Sequence, residues 1–144
     1  MRVDFYQLSR DPVEKVLPLL ARATMKGGER LLVISADEVQ LARIADGLWA
    51  VREEFLANGL AGGRHDSHQP VLLSDQMTPA NGARYVALAD GTWRETETPF
   101  DRTFLLFDDA TLQGARDCWR MLGAREDVER HFWKQDGGRW VEGP

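Results

Sequence analysis

The run Arg30-Leu31-Leu32-Val33-Ile34-Ser35 constrains the fold more than any other stretch of this chain. A strand that is apolar at every position cannot turn either face to water, so it belongs in the middle of a parallel sheet covered on both sides. Ser35-Ala36-Asp37-Glu38 follows at once. A hydroxyl residue with a glutamate three positions later forms a capping box, the signature of a helix start. Val39, Leu41, Ala42, Ala45, Leu48 and Trp49 then give that helix an apolar stripe. The same unit precedes it. Residues 3–8 read as a strand, Asp11-Pro12-Val13-Glu14 as a helix start, and Val13, Val16, Leu17, Leu20, Ala21 and Thr24 as the buried stripe. Pro18 falls early enough to bend this helix without abolishing it, and Gly27-Gly28 stops it. Strand, helix, strand, helix implies right-handed crossovers and a parallel sheet. The expected class is α/β: a single-domain, Rossmann-like, three-layer fold with a mostly parallel sheet.

Beyond the second helix, Asn58-Gly59, Gly62-Gly63 and Gln69-Pro70 mark residues 55–70 as a long surface loop. Val71-Leu72-Leu73 and Tyr85-Val86-Ala87-Leu88 are short strands, and residues 103–107 form the last clear buried one. Asp108-Asp109 can cap a third helix over residues 110–122, which Gly123 can end. Residues 133–140 read as a hairpin or extended tail turning at Asp136-Gly137-Gly138. No repeat or internal boundary interrupts the 144 residues, so one domain spanning 1–144 is expected. A domain of this size buries about 70% of its unfolded surface and needs neither disulfide nor metal to fold.

Several function classes are disfavoured by composition. Cys118 is the only cysteine, which rules out an internal disulfide and points to a reducing, cytoplasmic setting. No secretory leader and no apolar run of membrane-spanning length is present, so a soluble protein without membrane contact is expected. A net charge of −5 argues against nonspecific nucleic-acid binding through phosphate neutralisation.

The third helix carries the most suggestive constellation. Arg116 and Trp119 are three apart and Arg116 and Arg120 four apart, so the three side chains can share one face. A guanidinium is a rigid donor fork matched to a carboxylate, and an indole offers apolar area beside it. Such a face suits a peptide's acidic end, although a solvated arginine face with Trp119 half buried has the same spacing. His65-Asp66-Ser67-His68 contains metal-ligand types, but with only His131 elsewhere and no cysteine cluster it reads as a polar loop, and no metal or cofactor is expected. The pairs Glu95 with Glu97 and Asp108 with Asp109 have no neighbouring nucleophile, and no catalytic residue is assigned. The turn after the first strand, Ser9-Arg10-Asp11, has no glycine and an acid where a phosphate would lie, so the architecture lacks the nucleotide motif. Trp49, Phe55, Leu56 and Leu60 either close the core or form a partner surface.

Taken in order, these residues resemble the chi subunit of bacterial DNA polymerase III. The resemblance rests on Asp4-Phe5-Tyr6-Gln7-Leu8, Gly28-Glu29-Arg30-Leu31-Leu32-Val33, Leu48-Trp49, Phe55-Leu56, Gly59-Leu60-Ala61-Gly62 and Pro70-Val71. Its most specific part is C-terminal: Ala115-Arg116, Trp119, Trp133 with Gln135, and Arg139-Trp140. It implies a noncatalytic clamp-loader accessory protein that binds the acidic C-terminal tail of single-stranded DNA-binding protein, so that single-stranded DNA is contacted mainly indirectly. Arg116 would pair with the terminal carboxylate, with Arg120 nearby, while Phe107 and Trp119 would line a pocket for the tail's final phenylalanine. It also implies a second partner, the psi subunit or another clamp-loader component, at a surface of Trp49, Phe55 and Leu60. The chain departs from the family pattern at Leu112, where some members carry a lysine, and at Ala57-Asn58, which replace a proline-histidine pair. Two other readings compete: a small α/β enzyme or nucleotide binder using the strand ends, and direct single-stranded DNA binding by Trp133, Trp140 and nearby arginines.

Overall fold

The computed structural model describes residues 1–50, 58–97, 99–136 and 139–143. Strands β1 (Arg2–Gln7), β2 (Leu31–Ile34), β3 (Asn58–Leu60), β4 (Val71–Ser74), β5 (Tyr85–Leu88), β6 (Arg102–Phe107), β7 (Glu129–Asp136) and β8 (Arg139–Glu142) join one sheet. Its order is β3-β4-β2-β5-β6-β1-β7-β8, and every pairing is parallel except β7 with β8. The α/β class with a mostly parallel sheet is therefore as expected. β2 lies between β4 and β5 with all four residues buried, as a strand apolar on both faces must be.

Helices α1 (Val13–Lys26) and α2 (Glu38–Trp49) pack on one face, over Tyr6, Leu31, Val33, Leu73 and Phe104. Helix α3 (Leu112–Gly123) covers part of the other, where Ala115, Cys118 and Leu122 meet Val3, Phe5, Leu105 and Phe107. Pro18 has no N–H to donate to the carbonyl of Glu14 one turn earlier. Gly47 of α2 sits against that same carbonyl, and a Cβ at position 47 would come within 2.6 Å of its oxygen. The glycine thus lets the two helices approach closely at a carbonyl that Pro18 leaves without its helical donor.

Four local expectations change. The cap of α2 is Asp37, whose carboxylate accepts from the backbone N–H groups of Val39 and Gln40, while Ser35 Oγ accepts from Asp37 N–H. Pro12, with no side-chain acceptor, takes the cap position of α1, and Asp11 instead accepts from Gln135. The stretch read as a loop contains β3, a short edge strand paired with β4, and a single 3-10 turn at Asp66–His68. The tail is longer than the sequence suggests: β7 begins at Glu129 and pairs in parallel with β1 along Arg2–Gln7 before turning into β8.

Candidate functional site

Strand β7 determines what the end of the sheet can do, because its alternate residues face opposite sides. On the α1 side, Trp133 Nε1 donates to Asp4 Oδ1 at 3.0 Å. Asp4 is fully buried and also accepts from Arg102 Nε at 2.7 Å and from Arg2 Nε and a terminal Arg2 nitrogen at 3.1 Å. Burial alone would raise the pKa of this carboxyl, but the donors from Arg102, Arg2 and Trp133 outweigh it and hold it below the ordinary carboxylate range. Two residues on, Gln135 Oε1 accepts from the consecutive backbone N–H groups of Ser9, Arg10 and Asp11 at 3.2, 3.1 and 3.4 Å. In an α/β fold this first strand-to-helix turn is where a phosphate would be cradled, and here its N–H groups are occupied by a side chain from the C-terminal strand. Trp133 stacks on Tyr6 at 6.3 Å, and Trp140 meets Tyr6 edge-on at 5.0 Å. Both C-terminal tryptophans therefore fold onto the body.

On the α3 side the same strand lines a cleft. Phe5, Gln7, Phe107, Leu112, Ala115, Arg116, Trp119 and Phe132 enclose about 160 Å³. The cleft exists because β6, β1 and β7 bring Phe107, Phe5 and Phe132 to one face beneath α3. Asp108 positions that helix: its carboxylate accepts from Thr111 N–H while Thr111 Oγ1 accepts from Asp108 N–H, closing the cap of a 3-10 turn that runs into α3.

Trp119 is fixed from three sides. Its ring meets Phe5 edge-on at 5.1 Å and Phe132 at 6.4 Å, and Arg130 Cζ lies 4.2 Å over its centre. A terminal Arg130 nitrogen also donates to the Trp119 carbonyl at 2.7 Å. Gly123 makes room for this guanidinium, since a Cβ there would come 2.7 Å from the same nitrogen. The helix-ending glycine thus serves close approach, and no left-handed turn is needed at that position.

The structure brings Arg116, Trp119 and Phe107 to one cleft and leaves Arg120 out of its lining. Arg120 pairs with Asp117 at 3.1 Å on exposed helix surface. Spacing of four allows two side chains to share a face, but an acid three residues before Arg120 captures it first. Arg116 has no hydrogen-bond or ion-pair partner for its guanidinium among the described residues. Two acids on α3 and its lead-in are engaged elsewhere: Asp117 with Gln113 and Arg120, and Asp108 with Thr111. Arg116 is the one charged side chain among the residues that line the cleft.

Phe5, Phe132 and Gln7 escaped the sequence reading as site residues. The period of two along Phe5 and Gln7 was available as a signal; the docking of β7 beside β1, which brings Phe132 to them, was not. Cys118 lies under α3, and burial pushes its thiol up to about 12, so it stays an unreactive packing residue.

The proposed second surface is only partly described. Trp49 and Leu60 are 51% and 58% exposed, so they do not close the core, while Phe55 and Leu56 lie outside the described residues. Leu60 lines a cavity of about 480 Å³ with Glu38, Leu41, Ala61, Leu73, Ser74 and Asp75. In the polar loop, Asp66 accepts from the backbone of Gly62 and Gly63, and no group of three metal-ligating side chains occurs among the described residues. No helix among them is long and apolar enough to cross a membrane.

Compared with known families, residues 1–129 match the model described as DNA polymerase III chi subunit, HolC. The matched stretch ends on the first residue of β7, so Arg130, Phe132 and Lys134 lie beyond it. No curated protein matches the chain.

Proposed function

This chain belongs to the DNA polymerase III chi subunit family and is an accessory subunit of that polymerase; from that premise we propose that it binds the acidic C-terminal tail of single-stranded DNA-binding protein. It thereby tethers the clamp loader to protein-coated single strands and acts by binding, in the cytoplasm, as one chi-like domain over residues 1–144. The observation that carries this reading is the meeting of an aromatic-walled cleft with the unpaired Arg116 at its rim. A peptide ending in phenylalanine offers a ring for the first and a carboxylate for the second. Phe107 and Trp119 line the ring's seat, Arg116 pairs with the carboxylate, and Arg120 adds longer-range attraction from outside the cleft.

Two features weigh against the competing readings. Gln135 occupies the backbone donors that a nucleotide phosphate would use at the first turn. Trp133 stacks on Tyr6, which covers one face of its ring, and Trp140 is held edge-on to the same tyrosine, so both rings are engaged with the body of the protein. The exposed Leu60, on the cavity edged by Glu38 and Asp75, and the exposed Trp49, at the opposite end of α2 from Glu38, are with Phe55 the proposed seat of the psi subunit or another clamp-loader component.

Titration with a labelled acidic peptide ending in phenylalanine tests the tail reading. Saturable binding is expected, lost when the final phenylalanine is deleted. Arg116→Ala should weaken it by about 2 kcal/mol or more, roughly thirtyfold, because the terminal carboxylate is left against an apolar cleft without its partner. Unchanged affinity in Arg116→Ala would remove that residue's assignment, and absence of binding to the intact peptide would remove the reading.

A further inference from the structure

The cleft does not end at Phe132. Gln7 of its lining lies in register with Lys134 on β7, and Lys134 lies opposite Val141 on β8. Residues directly opposite in a sheet share a face. Lys134 is two residues from Phe132 and four from Arg130, both of which contact Trp119, so the rung Gln7, Lys134, Val141 lies on the α3 side. The exposure pattern agrees: Lys134 is exposed and Val141 is 40% exposed, whereas Trp133 and Gln135, on the other face, are partly buried. The Lys134 ammonium, like the Arg116 guanidinium, has no hydrogen-bond or ion-pair partner among the described residues. The next rung sets Asp136 opposite Arg139, one charge of each sign, so the cation beside Val141 is Lys134.

We propose that this ledge of Lys134 and Val141 is a second subsite, continuous with the cleft, that seats an acidic residue preceding the carboxyl-terminal aromatic of the bound tail. The inference rests on the tail reading given above and adds an occupant for a surface that reading does not use. With its last ring in the cleft and its terminal carboxylate on Arg116, a peptide leaving across the sheet crosses β7 one strand spacing from Gln7. There an aspartate or glutamate meets the Lys134 ammonium while the peptide's stem lies on Val141. Along β7 itself the only carboxylate beyond Lys134 on this face is Asp136, which stands opposite Arg139.

The test uses the full chain and two labelled peptides: an acidic peptide ending in phenylalanine, and the same peptide with its acidic residues replaced by their amides. Lys134→Glu and Lys134→Ala are compared with the unaltered protein and with Arg116→Ala at two salt concentrations, with thermal melts to check folding. Lys134→Glu should weaken the acidic peptide about fivefold, with Lys134→Ala intermediate, and the loss should shrink at high salt. It should leave the amide peptide unchanged. Equal affinity of the acidic peptide for the unaltered protein and Lys134→Glu, with binding still lost in Arg116→Ala, would overturn the ledge and leave the tail site standing. Equal losses for both peptides would also overturn it, since charge would then not be what Lys134 reads. Absence of binding by the unaltered protein would overturn both.

Discussion

The two faces of β7 differ in what their residues are left to do. On the α1 side, His131, Trp133 and Gln135 are all bonded within the protein: to Glu129 and Glu142, to Asp4, and to the turn after β1. On the α3 side, Phe132 and Lys134 border a cleft and an open rung of sheet, and Arg130 holds the tryptophan that walls the cleft. One strand therefore docks the C-terminal hairpin with its odd-numbered residues and equips a surface with its even-numbered ones. Substitutions on the first face should cost stability, and substitutions on the second should cost binding.

The sharpest break in that comparison is at Asp4. Asp4→Ala leaves Arg102, Arg2 and the Trp133 indole without their acceptor and should lower unfolding free energy by about 3 kcal/mol, read by denaturant titration. Because the folded-state pKa of Asp4 is depressed, its contribution is present above the unfolded carboxyl value near 3.9 and is lost as pH falls through the lower folded value. The acid limb of the stability curve should therefore flatten in Asp4→Asn.

Next in size is Gln135→Ala, which uncovers three backbone donors at the edge of the body. A loss of about 1–2 kcal/mol is expected, with tail affinity within twofold of the unaltered protein. The smallest effect belongs to His131, whose pKa is raised chiefly by its bond to Glu142; burial opposes this, and the bond to Glu129 adds a smaller rise. Its contribution is complete below the unfolded value near 6.5 and is lost as pH rises through the folded one. Amide exchange in β8, corrected for intrinsic rates, should therefore be less protected at pH 8.5 than at pH 6, and this difference should vanish in His131→Gln.

The sequence reveals the centre of this fold better than its ends. Leu31-Leu32-Val33-Ile34 must be covered on both faces wherever it lies, so a local pattern suffices to make it a central strand. Asn58-Gly59-Leu60 carries a turn signal and becomes a strand only because β4 offers it an edge. Glu129-Arg130-His131-Phe132 is too polar to announce a strand, and its partner β1 lies more than a hundred residues away. The same asymmetry governs the site. Arg116 and Trp119 are visible as a helical pair, whereas Phe132 and Lys134 join them only through the register of β7. Arg120 fits the helical spacing but pairs with Asp117, a competition that spacing alone does not resolve.

The most direct test of the division between faces is a heteronuclear spectrum of the five tryptophan indole N–H signals during titration with the acidic peptide ending in phenylalanine. The account predicts that the Trp119 signal shifts saturably while those of Trp133 and Trp140 stay in place. Saturable movement of Trp133 and Trp140 with Trp119 unmoved would place binding on the opposite face and contradict it.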